Sequence, residues 1–400
     1  MQYNRFTNTE YERLALANKV NLSDGHARQT LSTKQREIVG RTLELLDVAH
    51  SRPQEEIEAE FLKHFFQCGA QEVTPQNDVK SADNTPEIRQ RHVELPNRDL
   101  SVFFAYSSSS AIKIAAQYCR IRGLKVYLIE PCFDNILHLL VTEGVTVIPI
   151  REEQLNDVEF LAQQLGPDAA LWLVQPNNPT GFCMEPALFK EVIDKVAERQ
   201  STIIIDFCFR FYAESLREWD QYRTLEESKV TFIGIEDTGK TWSLGDLKVG
   251  MTLCSSDAAP VIHRLHDELL LNVSPLQLLL LTECIKDTLA HGIRNTARRE
   301  VEINRELVLT LVEKGLLLRA SEGGQNVPME LLGLPHESLS TQFWSELRQR
   351  GVDILPAHNY YWSNPEEGKS FFRMPLSRPL KDFQIAVPIM EQTLLELRSA

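Results

Sequence analysis

Seven short apolar runs recur through the middle of the chain: LSVFFAY (100–106), KVYLIE (125–130), VTVIPI (145–150), ALWLVQ (170–175), TIIIDF (202–207), VTFIGIE (230–236) and VGMTLCS (249–255). They are rich in Val, Ile and Phe and largely lack polar alternation, so both faces of each strand must be covered. Helical stretches separate several of them, such as AIKIAAQYCRIRG (111–123) and EPALFKEVIDKVAERQ (185–200). The second carries Pro186 near its first turn, where the missing N–H has no helical partner to lose. This alternation predicts an α/β fold built on a mainly parallel, seven-stranded sheet with helices on both faces. Beyond about residue 260 the pattern turns helical, and it closes in a smaller α+β region with strand candidates VDILPA (352–357) and SFFRMPL (370–376).

Four hundred residues suit roughly two or three domains, and 43% hydrophobic with 24% charged residues is ordinary for a soluble globular chain. A net charge of -14 argues against nucleic acid and anionic membranes as partners. Seven cysteines are scattered without a C-x-x-C pair, the pattern of reduced thiols in a cytoplasmic protein. The start, MQYNRFTNTEYERL, is too polar for a secretory signal. The most apolar window, LLLNVSPLQLLLLTECI (269–285), is interrupted by Asn272, Ser274 and Pro275 and suits a buried or interface helix better than a membrane span. The stretch 71–98 has the polar composition of loop or mobile surface.

Ligands of such sheets gather at the carboxyl ends of the strands. After LSVFFAY come Ser107, Ser108, Ser109 and Ser110, small hydroxyl residues leading into a helix, as in a phosphate cradle or an ordinary cap. After ALWLVQ comes Pro176-Asn177-Asn178-Pro179-Thr180-Gly181, a rigid turn. TIIIDF carries Asp206 where the apolar run should continue, and an ionised carboxylate there is costly unless a cation faces it. After VTFIGIE comes Asp237-Thr238-Gly239-Lys240, then Lys248 and Gly250.

In this order, the serine cradle, the P-x-N-P-T-G turn, the strand-end aspartate and the lysine followed by a basic residue beside glycine resemble the aspartate aminotransferase superfamily. These are fold-type I enzymes dependent on pyridoxal 5'-phosphate (PLP), with a large domain holding the sheet and a small α+β domain. The resemblance covers roughly residue 100 to the C-terminus, and it is the combination of elements that is specific. It implies that the cation facing Asp206 is the protonated pyridine nitrogen of PLP. It further implies that Lys240 is the Schiff-base lysine and moves the proton at Cα, and that Asn178 bonds the phenolic oxygen of the ring. Phe133, in IEPCFDN, would stack on the pyridine face, and Ser107, Ser108, Ser109 and Lys248 would hold the phosphate. Arg373, in SFFRMPL, would grip the substrate α-carboxylate, for which its forked donors are suited.

The chain departs from the family at several of these places. Lys248 stands where arginine is usual and loses its bidentate geometry. Phe209 replaces a tyrosine whose hydroxyl supports the phenolic oxygen. Asp237 and Gly239 replace serines around the lysine. Upstream, NTEYERLALANKVNLSDGHARQTLS (8–32) places Glu12, Asp24, His26 and Arg28 near Gly25. This stretch resembles PLP enzymes that act on L-arginine and hydroxyarginines in specialised metabolism: arginine oxidases and hydroxylases, and the cyclases forming enduracididine or capreomycidine. The resemblance implies that Glu12 and Asp24 pair with a substrate guanidinium and that His26 serves as an acid–base group away from Cα, whereas Arg28 suits a solvated turn.

The expected function is therefore a PLP enzyme acting on a free guanidino amino acid, ending in oxidation, hydroxylation or cyclisation. An ordinary class I/II aminotransferase is the alternative, and a non-catalytic amino-acid sensor is a third reading against which Lys240 and Asp206 both count. The resemblance also implies a homodimer with shared active sites, a large domain over 50–275, and a small domain built from 276–400 and part of the arm at 1–49.

Overall fold

The computed structural model describes residues 6–69, 93–94, 98, 100–244, 247–335 and 339–399. Most of the stretch expected to be loop or mobile surface, 71–98, lies outside them. The central sheet comprises β1 (Val93–Glu94), β2 (Ser101–Ala105), β3 (Lys125–Glu130), β4 (Val147–Arg151), β5 (Ala169–Val174), β6 (Thr202–Asp206), β7 (Thr231–Asp237) and β8 (Gly250–Cys254). Their spatial order is β1-β2-β8-β7-β6-β5-β3-β4. Strands β2 to β7 run in one direction, while β8 and the two-residue β1 oppose them. The fold is the mainly parallel α/β sheet expected, with one strand more than the seven apolar runs; two residues are too short to leave a periodic signal.

Burial follows position in the sheet. Strands β2, β5, β6 and β8 are buried at every residue. At the β4 edge most residues are not fully buried, and Pro149 is tolerated there because an edge strand has unpaired positions. The helix expected from Ala111 begins three residues earlier, at Ser108, with Ser107 as its N-cap accepting from Ser110 N–H at 3.3 Å. In the apolar window 269–285 the helix starts at Pro275 and runs to His291, packed against the helix Gln54–Gln67. No helix among the described residues is long and apolar enough to cross a membrane.

A second, antiparallel sheet follows: β9 (Leu318–Arg319), β10 (Met329–Gly333), β11 (Leu355–Pro356) and β12 (Phe371–Pro375), in the order β9-β10-β12-β11. The N-terminal segment stitches this part to the central sheet. Val20–Asn21 pairs in parallel with Val352–Asp353. A few residues on, Ala27 N–H donates to Gly239 O at 2.9 Å and Arg28 N–H to Ser377 O at 2.8 Å. Residues 20–28 thus cross the carboxyl edge of the sheet, where the functional candidates converge.

Candidate active site

Six parallel strands deliver their carboxyl ends to one edge, and chemistry-bearing residues follow five of them directly. Ser107 to Ser109 follow β2, Phe133 follows β3 as the N-cap of the helix Asp134–Thr142, and Asn178 lies in the turn after β5. Asp206 is the last residue of β6, and Asp237 the last of β7. A short 3-10 turn (Thr238–Lys240) then presents Lys240. These residues, with Glu12, Gly25, His26, Lys248 and Arg373, line a single cavity of about 880 Å³, its open mouth included.

Asp206 is buried, with 8% exposure, and its carboxylate accepts the Cys208 N–H at 2.9 Å. Burial pushes this carboxyl up, opposed by Cys208 and by the Lys240 charge. No cation stands within ion-pair distance of Asp206 among the described residues, so the cavity floor offers a desolvated carboxylate to an incoming positive group. Lys240, half-buried, makes no side-chain hydrogen bond or ion pair among the described residues. The two asparagines of the turn divide the work. Asn177 Nδ2 donates to Pro131 O at 2.7 Å and Glu152 Oε1 at 2.6 Å, fixing the loop. Asn178 reaches the cavity wall, and its buried Oδ1 has no partner.

The serine loop is clamped from beside the lysine. Asp237 Oδ2 accepts the Ser108 N–H at 3.0 Å and its hydroxyl at 2.9 Å, while Oδ1 accepts the Gly239 N–H at 2.8 Å. Gly250 opens β8 against the same loop: a Cβ there would stand 2.3 Å from the Ser107 carbonyl carbon, which excludes any larger residue. Behind the site, Arg210 is wholly buried with Nε donating to Glu236 Oε1 at 2.5 Å and its guanidinium 4.2 Å from the Phe211 ring centre. Burial still pushes the Glu236 carboxyl up to about 7, against the pull of Arg210.

Arg373 sits in β12 between Leu331 and Leu355, 1% exposed, its guanidinium 5.9 Å from the ring centres of Phe133 and Tyr360. It donates to the Ser23 carbonyl and, at 3.0 Å, to Glu12 Oε1. Glu12 on the helix Asn8–Ala15 therefore reaches the cavity with its carboxylate on a protein guanidinium. Asp24 does not reach the wall. Its Oδ1 lies 2.6 Å from His26 Nδ1, and its Oδ2 lies 3.3 Å from both Arg28 and Arg378. In this arrangement the Asp24 carboxylate is taken up within the protein, by two guanidinium groups, Arg28 and Arg378, and by the His26 ring. Burial disfavours its charge, yet His26 and Arg378 hold the Asp24 carboxyl far below the usual range. His26 does line the cavity, and the Lys240 charge, followed by burial, holds its imidazole below the ordinary range.

Some wall residues carried no assigned role in the sequence. Thr9 lies one helical turn before Glu12, a spacing that puts both on one helix face and could have flagged it. Asn135, whose Nδ2 donates to Ser109 Oγ at 3.3 Å, and Cys208, two residues past Asp206, had no distinguishing sequence signal.

The sequence profile of the aminotransferase class I and II family matches residues 62–384. The chain belongs to that family. It has the aminotransferase fold, shared with solved structures at 16% identity. A structure described as MppP soaked with the product 2-ketoarginine superposes with a TM-score of 0.81 at 28% identity, covering 94% of this chain and 99% of that one. Histidinol-phosphate aminotransferase of Staphylococcus carnosus is 21% identical over 43% of this chain and 49% of its own length. Capreomycidine synthase of Streptomyces vinaceus is 24% identical over 44% of this chain and 46% of its own. The chain spans about half the length of these curated relatives.

Proposed function

We propose that the enzyme acts on a free L-amino acid bearing a guanidino side chain, arginine or a hydroxyarginine, and carries the reaction beyond Cα to oxidation, hydroxylation or cyclisation. One observation carries this reading: a second acid–base group, His26, shares the cavity wall with Lys240. Simple transamination needs only the lysine for its proton moves, whereas chemistry at Cβ or Cγ needs another carrier. Similarity to a protein whose structure was obtained with 2-ketoarginine, and to a capreomycidine synthase, supports the guanidino class.

The residues present fit PLP. Asp206 offers its buried carboxylate to a pyridinium nitrogen, and Asn178, at the wall, would meet the phenolic oxygen. Phe133 would cover the ring, and the Ser107–Ser109 loop with Lys248 would hold the phosphate. Bound PLP supplies an electron sink for negative charge developing at Cα. Lys240 would carry the cofactor and move the Cα proton. Arg373 would take the α-carboxylate, displacing Glu12 from its guanidinium and leaving that carboxylate for the cationic end of the substrate. Asp24 acts through His26, holding its ring in place. Oxidation would pass electrons to an acceptor such as dioxygen; ring closure with loss of water from a hydroxyarginine needs none.

The test is a product screen by mass with L-arginine and γ-hydroxyarginine, with and without pyruvate or 2-oxoglutarate. Turnover without a keto acid is expected. Strict dependence on a keto acid would replace this reading with an ordinary class I/II aminotransferase.

We also propose a homodimer with shared sites, built on a division into 1–49, 50–275 and 276–400. Exposed Tyr106 and Leu247, each next in sequence to a cavity residue, support a covered face near the site. Sedimentation equilibrium is expected to give a dimer; a stable, active monomer would overturn it.

A further inference from the structure

Three departures from the family pattern, separate in the sequence, meet at one point. Lys248 places Nζ 2.8 Å from His26 Nε2. Gly239 lies against the Lys248 stem, where a Cβ would stand 2.8 Å from Lys248 Cβ and 2.9 Å from its Cδ, so a serine there would push the lysine aside. Asp237 fixes the Gly239 N–H at 2.8 Å, and the Gly239 carbonyl accepts the Ala27 N–H at 2.9 Å, next to His26 itself. The glycine therefore both makes room for the lysine and, through its carbonyl, anchors the histidine segment.

The protonation pattern follows from the partners. His26 Nδ1 faces the ionised Asp24 at 2.6 Å and so carries the proton, leaving the Nε2 lone pair toward Lys248. We propose that Lys248 is the proton partner of His26, so that Asp24, His26 and Lys248 work as one acid–base unit in the cavity wall. This deepens, and rests on, the reading of His26 as a second acid–base group. The exchange is a single proton shared along the Lys248 Nζ–His26 Nε2 hydrogen bond, with Asp24 holding the charge whenever the ring becomes imidazolium. The reverse move restores the start, and no other bond changes. An arginine, usual at this position, could anchor a phosphate but could not take part, because a guanidinium does not give up its proton in proteins. The Lys240 charge from the 3-10 turn, then burial and the Lys248 charge, favour a neutral resting ring, while Arg28 from the arm and Arg378 after β12 stand on Asp24.

Lys248→Arg, Lys248→Gln and Gly239→Ala test this, with three readouts: PLP titration of the apoprotein, pH titration of the His26 ring by 15N-histidine NMR, and the product ratio from L-arginine or γ-hydroxyarginine. Lys248→Arg is expected to retain PLP, to change the pH at which the His26 nitrogens titrate, and to lower His26-dependent product roughly a hundredfold or more. Lys248→Gln is expected to lose PLP affinity as well. Gly239→Ala, which keeps both residues but moves the lysine stem, is expected to copy the NMR and product changes of Lys248→Arg. A wild-type His26 titration and product ratio in Lys248→Arg would overturn the proposal. If His26→Ala diverts product while Lys248→Arg does not, this inference alone falls; if His26→Ala has no effect on product, the proposed function falls with it.

Discussion

Lys240→Ala is expected to yield a colourless protein without turnover, the largest effect of any single substitution here. Lys240 ends a 3-10 turn at the cavity edge, with its side chain half-buried and free of hydrogen bonds among the described residues. Removing it therefore costs little packing, and the folded state should survive, as circular dichroism would show. Two functions are lost together: covalent attachment of the cofactor and proton transfer at Cα. A single positioned acid–base group is typically worth roughly 10²–10⁴ in rate, so the combined loss should exceed about 10⁴-fold. The visible absorbance of the purified protein and product formation by mass are the two measurements. A yellow, active Lys240→Ala protein would mean that the proposed site register is wrong, because Asp206, Asn178 and Lys248 have their proposed roles only if Lys240 carries the cofactor.

The central sheet was legible because its seven longer strands are apolar on both faces, a requirement that composition alone reveals. The edge strand β1 and the equally short β9 were not, since two residues carry no period, and β10 was missed because its five residues, MELLG, are mostly good helix formers. Asp206 stood out because it puts a charge in an apolar run, whereas Lys240, an ordinary lysine on the turn after β7, gained its role only from the family resemblance. What sequence could not give was pairing. Asp24 and Glu12 both looked like partners for a substrate cation, yet the fold hands Asp24 to His26, Arg28 and Arg378 and Glu12 to Arg373. Such assignments depend on where residues far apart in sequence meet. For the same reason the departures at Asp237, Gly239 and Lys248 read as isolated changes until the geometry joined them.

His26→Ala is the substitution that separates the two chemistries open to this cavity. If Lys240 alone moves protons, the loss of an imidazole from the wall should weaken substrate binding and leave the product distribution as it was. If the reaction reaches Cβ or Cγ, the missing group should cost roughly 10²–10⁴-fold in the final product, with substrate diverted to the simple keto acid. The second outcome is expected. His26 is fixed on both nitrogens, by Asp24 at 2.6 Å and Lys248 at 2.8 Å, and a ring held only to fill space would not need both contacts. Its position also suits a proton carrier: the Lys240 charge and burial hold its imidazole below the ordinary range, so a neutral ring ready to accept a proton is present at neutral pH. The measurement is product analysis by mass on L-arginine and γ-hydroxyarginine, alongside substrate affinity from absorbance titration. Affinity reduced with the product ratio unchanged would assign His26 to binding, and the cavity would then be that of an ordinary aminotransferase.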